Sequence, residues 1–339
     1  MLLPRDGDTC MTGQSSLIPH HKLQLGVIMR AFIFPGQGSQ AVGMGKALAE
    51  ASSTAREVFE EVDHALDQNL FELMCNGPLD ELTLTENAQP AIMANAIATL
   101  RVMEKDGGKS LGDLCSYVAG HSLGEYTALC AAGSLDLTTT AELLKLRGLS
   151  MQKAVPVGEG GMAALLGADI KKAQALANAS SQGEVCTIAN DNDPTQVVIS
   201  GKIGAIERAI AAAKEHGIKR GILLPVSAPF HCSLMQPAAE SMEEALAEAS
   251  IFSPVVPVFA NVTAAPVSDV DEIRELLVQQ VTGTVRWRES VGNMAEAGVE
   301  QFVEFGGKVL TGMVGRIAPE AETVSLVSLA DIETFLKTL

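Results

Sequence analysis

Residues 118–129 read VAGHSLGEYTAL, an apolar run joined to a small-residue helical pattern by a Gly-x-Ser-x-Gly pentad, Gly120, His121, Ser122, Leu123 and Gly124. A strand that turns sharply into a helix exposes the serine at the turn and needs glycines where side chains would collide. It also aims the next backbone N–H and the helix N-terminus at any oxyanion forming there. The pentad alone is a modest signal, because a loop rich in Gly and Ser can match it, and Ser122 has a second reading as a helix N-cap. The strand before it and the helix after it favour the nucleophile.

The pattern on either side is that of an α/β protein. RAFIFPGQGSQ (30–40) gives a strand at 31–34, a turn-rich loop, and a helix through Leu48; strand, loop and helix in that order begin an α/β layer. Helical periodicity runs over 52–67 and 88–104, broken by turn chemistry at Asn76-Gly77-Pro78 and Asp106-Gly107-Gly108. A strand at 114–119 enters the pentad, and a helix at 141–154 ends near Pro156. Then come a strand (162–167), a helix (169–179), strands at 185–190 and 196–201 around Asp193-Pro194, a helix (203–216) and a strand (221–227). That order, βαββαβ, is the ferredoxin-like split motif. A helix at 234–249, a strand at 254–262, helices at 270–281 and 288–297, a strand at 300–305 and a last helix after Gly306-Gly307 complete the chain. The expectation is a large α/β domain with a parallel sheet (29–155 and 229–339) and an inserted ferredoxin-like small domain (156–228). Residues 1–28, which lack the apolar core of a signal peptide, read as a disordered leader.

Composition narrows the function classes. The 339 residues are 47% hydrophobic but only 4% aromatic, so small aliphatic packing dominates the interior. A formal net charge of -17 argues against nucleic acid as the main partner, since phosphate binding relies on Lys and Arg. The six cysteines are scattered without CxxC pairs or zinc-ligand spacing, which reads as reduced thiols in a cytoplasmic protein with no metal. No apolar run reaches the roughly 18 residues of a membrane span.

A serine nucleophile needs a base. Of the six histidines, His20 and His21 lie in the leader, His64 sits in a charged helix, and His121 adjoins the serine, where neighbouring side chains diverge and loop fixing is the better role. His216 ends a helix, where a cation complements the dipole. His231 remains, in SAPFHCSL at the junction between small and large domains, where clefts form; a core histidine is its alternative reading. The FPGQGSQ loop lacks the third glycine of a dinucleotide motif and the earlier glycine of a P-loop. It could supply oxyanion donors or be simply a tight turn. Arg147, with Leu143, Leu144, Ser150 and Met151 three and four residues away, lies on an apolar helix face without a local carboxylate. Either it snorkels or pairs elsewhere in the chain, or its partner is a substrate carboxylate held bidentately.

FPGQGSQ, GHSLGEY, the arginine of LLKLRG, PFHC, the VQQ that precedes VRW, and GGKVLTG occur in an order and at spacings that resemble the malonyl-CoA:acyl carrier protein transacylases, from about Arg30 nearly to the C-terminus. The resemblance implies a hydrolase-like large domain and ping-pong acyl transfer, with Ser122 and His231 catalytic. It implies an oxyanion hole from the N–H groups of Gln37 and Leu123, Arg147 on the malonyl carboxylate, Gln280 near the site, and Phe230 limiting room at the acyl α-carbon. It further implies malonyl-CoA and holo acyl carrier protein as partners, no cofactor, and a backbone carbonyl rather than an acid orienting His231. Thr282-Gly283-Thr284 departs from the Asn-Pro turn common in relatives, which leaves that carbonyl unassigned, and Gly306-Gly307 departs from Gly-Pro-Gly. Lys219, Arg220, Arg286 and Arg288 are candidates for carrier docking, with solvated surface as the default. Nothing in the sequence demands more than a monomer. The rival readings are a serine hydrolase using the same pair and a non-catalytic carrier-binding module.

Overall fold

Alternate residues of the first strand feed two different cores. In β1 (Arg30–Phe34) every residue is buried. Phe32 and Phe34 join the larger apolar cluster with Phe305, and Ala31 and Ile33 join a second one with Trp287, Phe302 and Leu310. A strand covered on both faces reads as a continuous apolar run, which is why RAFIF shows no alternation. The structure is a computed structural model that describes residues 28–226 and 228–339; all but the last residue of the expected leader, including His20 and His21, lies outside the described residues.

After β1 come α1 (Lys46–Ala51), α2 (Ser53–Leu66), α3 (Leu70–Asn76), α4 (Leu79–Thr83), α5 (Thr85–Gly107), α6 (Leu111–Leu114), β2 (Tyr117–Gly120), α7 (Leu123–Ala131) and α8 (Leu137–Ala154). Next are β3 (Gly160–Leu166), α9 (Ile170–Ser181), β4 (Cys186–Asp193), β5 (Gln196–Lys202), α10 (Ile203–Ala212) and β6 (Arg220–Leu223). The chain then runs through α11 (Gln236–Glu248), β7 (Val258–Ala260), β8 (Ala265–Val267), α12 (Val270–Thr282), α13 (Trp287–Glu296), β9 (Gln301–Phe305), α14 (Leu310–Ile317), β10 (Glu322–Leu326) and α15 (Leu329–Leu336).

The large sheet has the order β10-β9-β1-β2-β7-β8. Its first five strands are parallel, and β8 runs antiparallel to β7. The expected parallel sheet therefore carries one antiparallel edge. β3 to β6 form a separate antiparallel sheet in the order β4-β5-β3-β6, the ferredoxin-like arrangement of a βαββαβ unit, with α9 and α10 packed on its own apolar cluster. The fold is thus α/β with a second, smaller sheet inserted in the first. The small sheet is fastened to the large unit at β4: Asn190 bridges to Val285, Arg288 Nη2 meets Asp191 at 2.7 Å, and Arg316 Nη2 meets Asp193 at 2.8 Å.

Several boundaries differ from the expectation for local reasons. The strand expected at 114–119 begins at Tyr117, because residues 111–114 form a turn of helix capped reciprocally by Ser110 and Asp113. The strand expected over 254–262 is ordered as β only at 258–260, since Pro254 and Pro257 have no N–H to give a ladder. The helix after Gly306-Gly307 is followed by a further strand and helix, β10 and α15. α8 starts at Leu137, where Asp136 accepts from the Thr139 N–H at 2.6 Å.

Register places Phe34, the last residue of β1, beside Gly120, the last of β2. The loops that follow these central parallel strands therefore emerge together at the carboxyl edge of the sheet, where open α/β sheets bind ligands. α8 packs against α5 through Gly148, whose added Cβ would lie 2.5 Å from the Cα of Glu86 and 2.7 Å from the Thr85 carbonyl oxygen. This approach carries Arg147 into the interior. Replacing Gly148 with Val should force the two helices apart and lower stability by about 1–3 kcal/mol. In urea unfolding the midpoint should fall with little change in slope; an unchanged midpoint would show that the contact yields freely.

Candidate active site

The turn between β2 and α7 places Ser122 at φ +55°, ψ -111°, a conformation that a non-glycine residue adopts only when its surroundings enforce it. The flanking glycines show the enforcement. A Cβ on Gly120 would run into the carbonyl of Gly124, and one on Gly124 would run into the carbonyl of Phe34 in β1. Asn261, just after β7, straps the turn: its Oδ1 accepts from the Ser122 N–H at 2.7 Å, and its Nδ2 donates to the Gly120 carbonyl at 2.7 Å.

Ser122 Oγ lies 2.8 Å from Nε2 of His231. His231 is itself at φ +57° and 3% exposed. Its Nδ1 faces the main-chain carbonyl of Gln280 at 3.0 Å, which fixes the tautomer with the proton on Nδ1 and leaves Nε2 to accept from the serine. The carbonyl left unassigned by the sequence is therefore that of Gln280, near the end of α12. Burial, then the nearby Arg147 charge, push His231 down to about 3 against the pull of that carbonyl. The imidazole is neutral, as a base must be.

Arg147 is 1% exposed. Its Nη1 donates to Gln89 Oε1 at 2.7 Å, and its Nη2 donates to Gln280 Oε1 at 2.9 Å and to Ser122 Oγ at 3.2 Å. The guanidinium also lies over the Tyr126 ring, 5.7 Å from its centroid. Among the described residues neither Nε nor the Tyr126 hydroxyl has a hydrogen-bond partner. The guanidinium thus rests on neutral amides, a ring and a hydroxyl, with no carboxylate of the described residues in contact. A buried charge so placed is costly and is ready for an anion beside the serine.

Gln280, fully buried, completes the connection. Its Nε2 donates to the Ser122 carbonyl at 2.9 Å and to Glu125 Oε2 at 2.7 Å. Glu125 Oε2 also accepts from the Asn261 N–H at 3.0 Å, and burial raises this carboxyl to about 7.

Ser122, His231, Arg147 and Gln280 therefore meet in one hydrogen-bonded set. Leu123 is the first residue of α7, so its N–H has no carbonyl one turn earlier to donate to. Gln37 lies in the loop after β1, where a Cβ on the preceding Gly36 would be 2.7 Å from the His121 carbonyl oxygen; its own side chain reaches Thr85 Oγ1 at 3.5 Å. Phe230 is buried next to His231. His121 is turned away from the serine, with Nε2 2.8 Å from Asn192 Oδ1 and its ring edge-on to Trp287. Of the basic candidates, Arg286 is held by Glu289 and the carbonyls of Val262 and Thr263, and Arg288 by Asp191; Lys219 and Arg220 are exposed.

Sequence reading did not find Gln89, Glu125 or Asn261. Gln89 and Asn261 meet their partners 58 and 139 residues away, and nothing in their own neighbourhoods signals it. Glu125 was visible only as an acid in the first turn of a helix, where it reads as a complement to the dipole. Among the described residues no cluster of three His, Cys, Asp or Glu side chains could hold a metal ion, the five described cysteines are free, and no helix is long and apolar enough to cross a membrane.

Residues 31–314 match the acyl transferase domain family. The chain is 42% identical over 311 residues to the malonyl CoA-acyl carrier protein transacylase of Bacillus subtilis, covering 91% of this chain and 96% of that one. The crystal structure of acyl-carrier-protein-S-malonyltransferase from Bartonella henselae superposes with a TM-score of 0.90 at 50% identity, covering 92% of this chain and 99% of that one. A type II polyketide synthase acyl-carrier protein in complex with its malonyl-transacylase provides another match, with a TM-score of 0.88 at 39% identity over 92% of this chain and 100% of the other. The chain belongs to the acyl transferase family.

Because the unfolded imidazole titrates near 6.5 and the folded one near 3, the unfolded chain binds more protons between those values. His231 should therefore weaken the fold as pH falls through that window. NMR titration should show it neutral throughout the range in which the protein stays folded. In Arg147→Gln its pKa should rise, because the largest lowering effect after burial is gone. An unshifted titration in that variant would mean that the Arg147 charge does not lower the value.

Proposed function

We propose that this acyl transferase moves a malonyl group from malonyl-CoA to the phosphopantetheine thiol of a holo acyl carrier protein through an ester on Ser122, supplying fatty acid elongation. The observation that carries the reading is the placement of one hydroxyl between a base and a buried cation: Ser122 Oγ is 2.8 Å from His231 Nε2 and 3.2 Å from Arg147 Nη2. A base alone suits any acyl ester. The adjacent guanidinium selects an acyl group whose carboxylate lies only a carbon or two from the reacting carbonyl, which describes malonyl.

In the first half-reaction Ser122 Oγ gives its proton to His231 Nε2 and bonds to the thioester carbon. The oxygen that gains the charge is held by the N–H groups of Gln37 and Leu123, each donor worth roughly 3–4 kcal/mol in such sites. The carbon–sulfur bond then breaks, and CoA leaves with the proton from His231. In the second half the carrier thiol gives its proton to the same nitrogen, attacks the ester, and releases Ser122 as the proton returns to it. Gln280 holds His231 through its carbonyl and Arg147 through its side chain. Phe230, buried beside the base, limits substituents at the acyl α-carbon. Side chains and backbone amides of one chain supply each step, so the mechanism calls for neither a second copy nor a cofactor. A carrier protein as acceptor and the unpaired cysteines among the described residues fit a cytoplasmic location.

The test is the fate of labelled malonyl. With holo carrier protein present, label should pass to the carrier much faster than it appears as free malonate; the opposite partition would make the protein a hydrolase. Ser122→Ala should abolish transfer. Arg147→Ala should depress malonyl transfer by about 10²-fold or more while sparing acetyl transfer in relative terms. Equal loss for both acyl groups would reduce Arg147 to a structural role.

A further inference from the structure

Glu125 is an acid that the proposed reaction does not use. It stands three residues beyond Ser122 on α7 and is 2% exposed. One of its oxygens, Oε2, takes two donors from two other elements, Gln280 Nε2 from α12 at 2.7 Å and the Asn261 N–H from beyond β7 at 3.0 Å.

We propose that Glu125 is a positioning residue for malonyl transfer, holding the carboxylate-binding Arg147 through Gln280 and the Ser122 turn through Asn261. The proposal rests on the roles given above to Ser122 and Arg147.

The Gln280 amide has a donor end and an acceptor end, and its neighbours decide which way it points. In the observed orientation Oε1 accepts from Arg147 Nη2, while Nε2 donates to the Ser122 carbonyl and to Glu125. Turned over, the amide would set N–H against the guanidinium and oxygen against a carboxyl and a carbonyl. Glu125 thereby fixes the acceptor that aims Arg147 at the acyl carboxylate. Without it, the amide keeps one acceptor instead of two, and Arg147 loses the certainty of one of its two amide partners.

The second arm reaches the nucleophile. Holding the Asn261 N–H orients the residue whose side chain spans Ser122 N and the Gly120 carbonyl, each at 2.7 Å. A serine at φ +55° stays there only if its surroundings over-determine it. Both arms need an acceptor oxygen at this place, and neither needs a full charge. Glutamine, whose Oε1 can accept both donors, should therefore substitute where alanine cannot.

The experiment measures the rate of acyl-enzyme formation from malonyl-CoA and from acetyl-CoA by quenched-flow intact mass, for wild type, Glu125→Ala, Glu125→Gln, Gln280→Ala and the Glu125→Ala/Gln280→Ala double variant. Glu125→Ala should slow malonylation by up to about 10²-fold, the scale of an ångström's misplacement at a reacting centre. Acetylation should suffer less, so the malonyl-to-acetyl ratio falls. Glu125→Gln should stay within about threefold of wild type, and the double variant should be little slower than Gln280→Ala, as expected for residues acting as one unit. Should Glu125→Ala not fold, Glu125→Asp, which withdraws the oxygen but keeps the charge, takes its place with the same expected fall in ratio. Equal loss for both acyl groups, Glu125→Gln as slow as Glu125→Ala, or additive losses in the double variant would each overturn the proposal. A wild type that forms no malonyl-enzyme would instead overturn the reading of the reaction.

Discussion

A guanidinium buried against two glutamine oxygens is the constraint around which this site is arranged. Among the described residues Arg147 has no carboxylate in contact, yet it is almost wholly out of water. Burial works against its charge and holds its pKa below the ordinary value, while more distant charges such as that of ionised Glu125 pull the other way. A fold retains such a group only if everything near it is held in place, since a small rearrangement would leave the charge without any acceptor. Gln280 supplies the holding: side-chain oxygen to Arg147, side-chain nitrogen to Ser122 and Glu125, main-chain oxygen to His231. One residue of α12 therefore sets serine, imidazole and guanidinium against one another.

The larger architecture serves that arrangement. The central strands β1 and β2 end side by side, so the Gly-Gln-Gly loop and the Ser122 turn emerge at the same edge. Glycines at 120, 124 and 148 permit backbone approaches that any side chain would prevent. The first two let the serine turn sharply against β1, and the third lets α8 bring Arg147 within reach of Gln89 on α5. The small sheet, fastened through Asp191 and Asp193 to Arg288 and Arg316, stands on the segment that leads into His231.

The sequence revealed more of the fold than of the bonds within the site. Short apolar runs and helical stretches of period 3.6 are local signals, and they located the strands expected at 31–34 and 300–305 and the βαββαβ order of the small sheet. Short helices such as 79–83 and the late β10–α15 pair were missed because too few residues carry a pattern. In the site, Ser122 was legible from the geometry its glycines require, and Arg147 from a charge on an apolar face. His231 emerged by elimination. The identity of the carbonyl behind it was hidden, because a main-chain acceptor leaves no mark on residue type; Thr282-Gly283-Thr284 told nothing of it, and the acceptor is two residues earlier. Asn261 and Glu125 were hidden for a related reason, as their partners are brought near only by the fold.

The central claim is that Ser122 carries the malonyl group between two thiols. Its most direct test is peptide-mapped mass spectrometry of the protein mixed with malonyl-CoA, before and after addition of holo acyl carrier protein. The account predicts a malonyl ester on Ser122 alone that is discharged when the carrier arrives, with the malonyl mass then found on the carrier's phosphopantetheine. A malonyl adduct on another residue, or an ester on Ser122 that the carrier does not discharge, would contradict it.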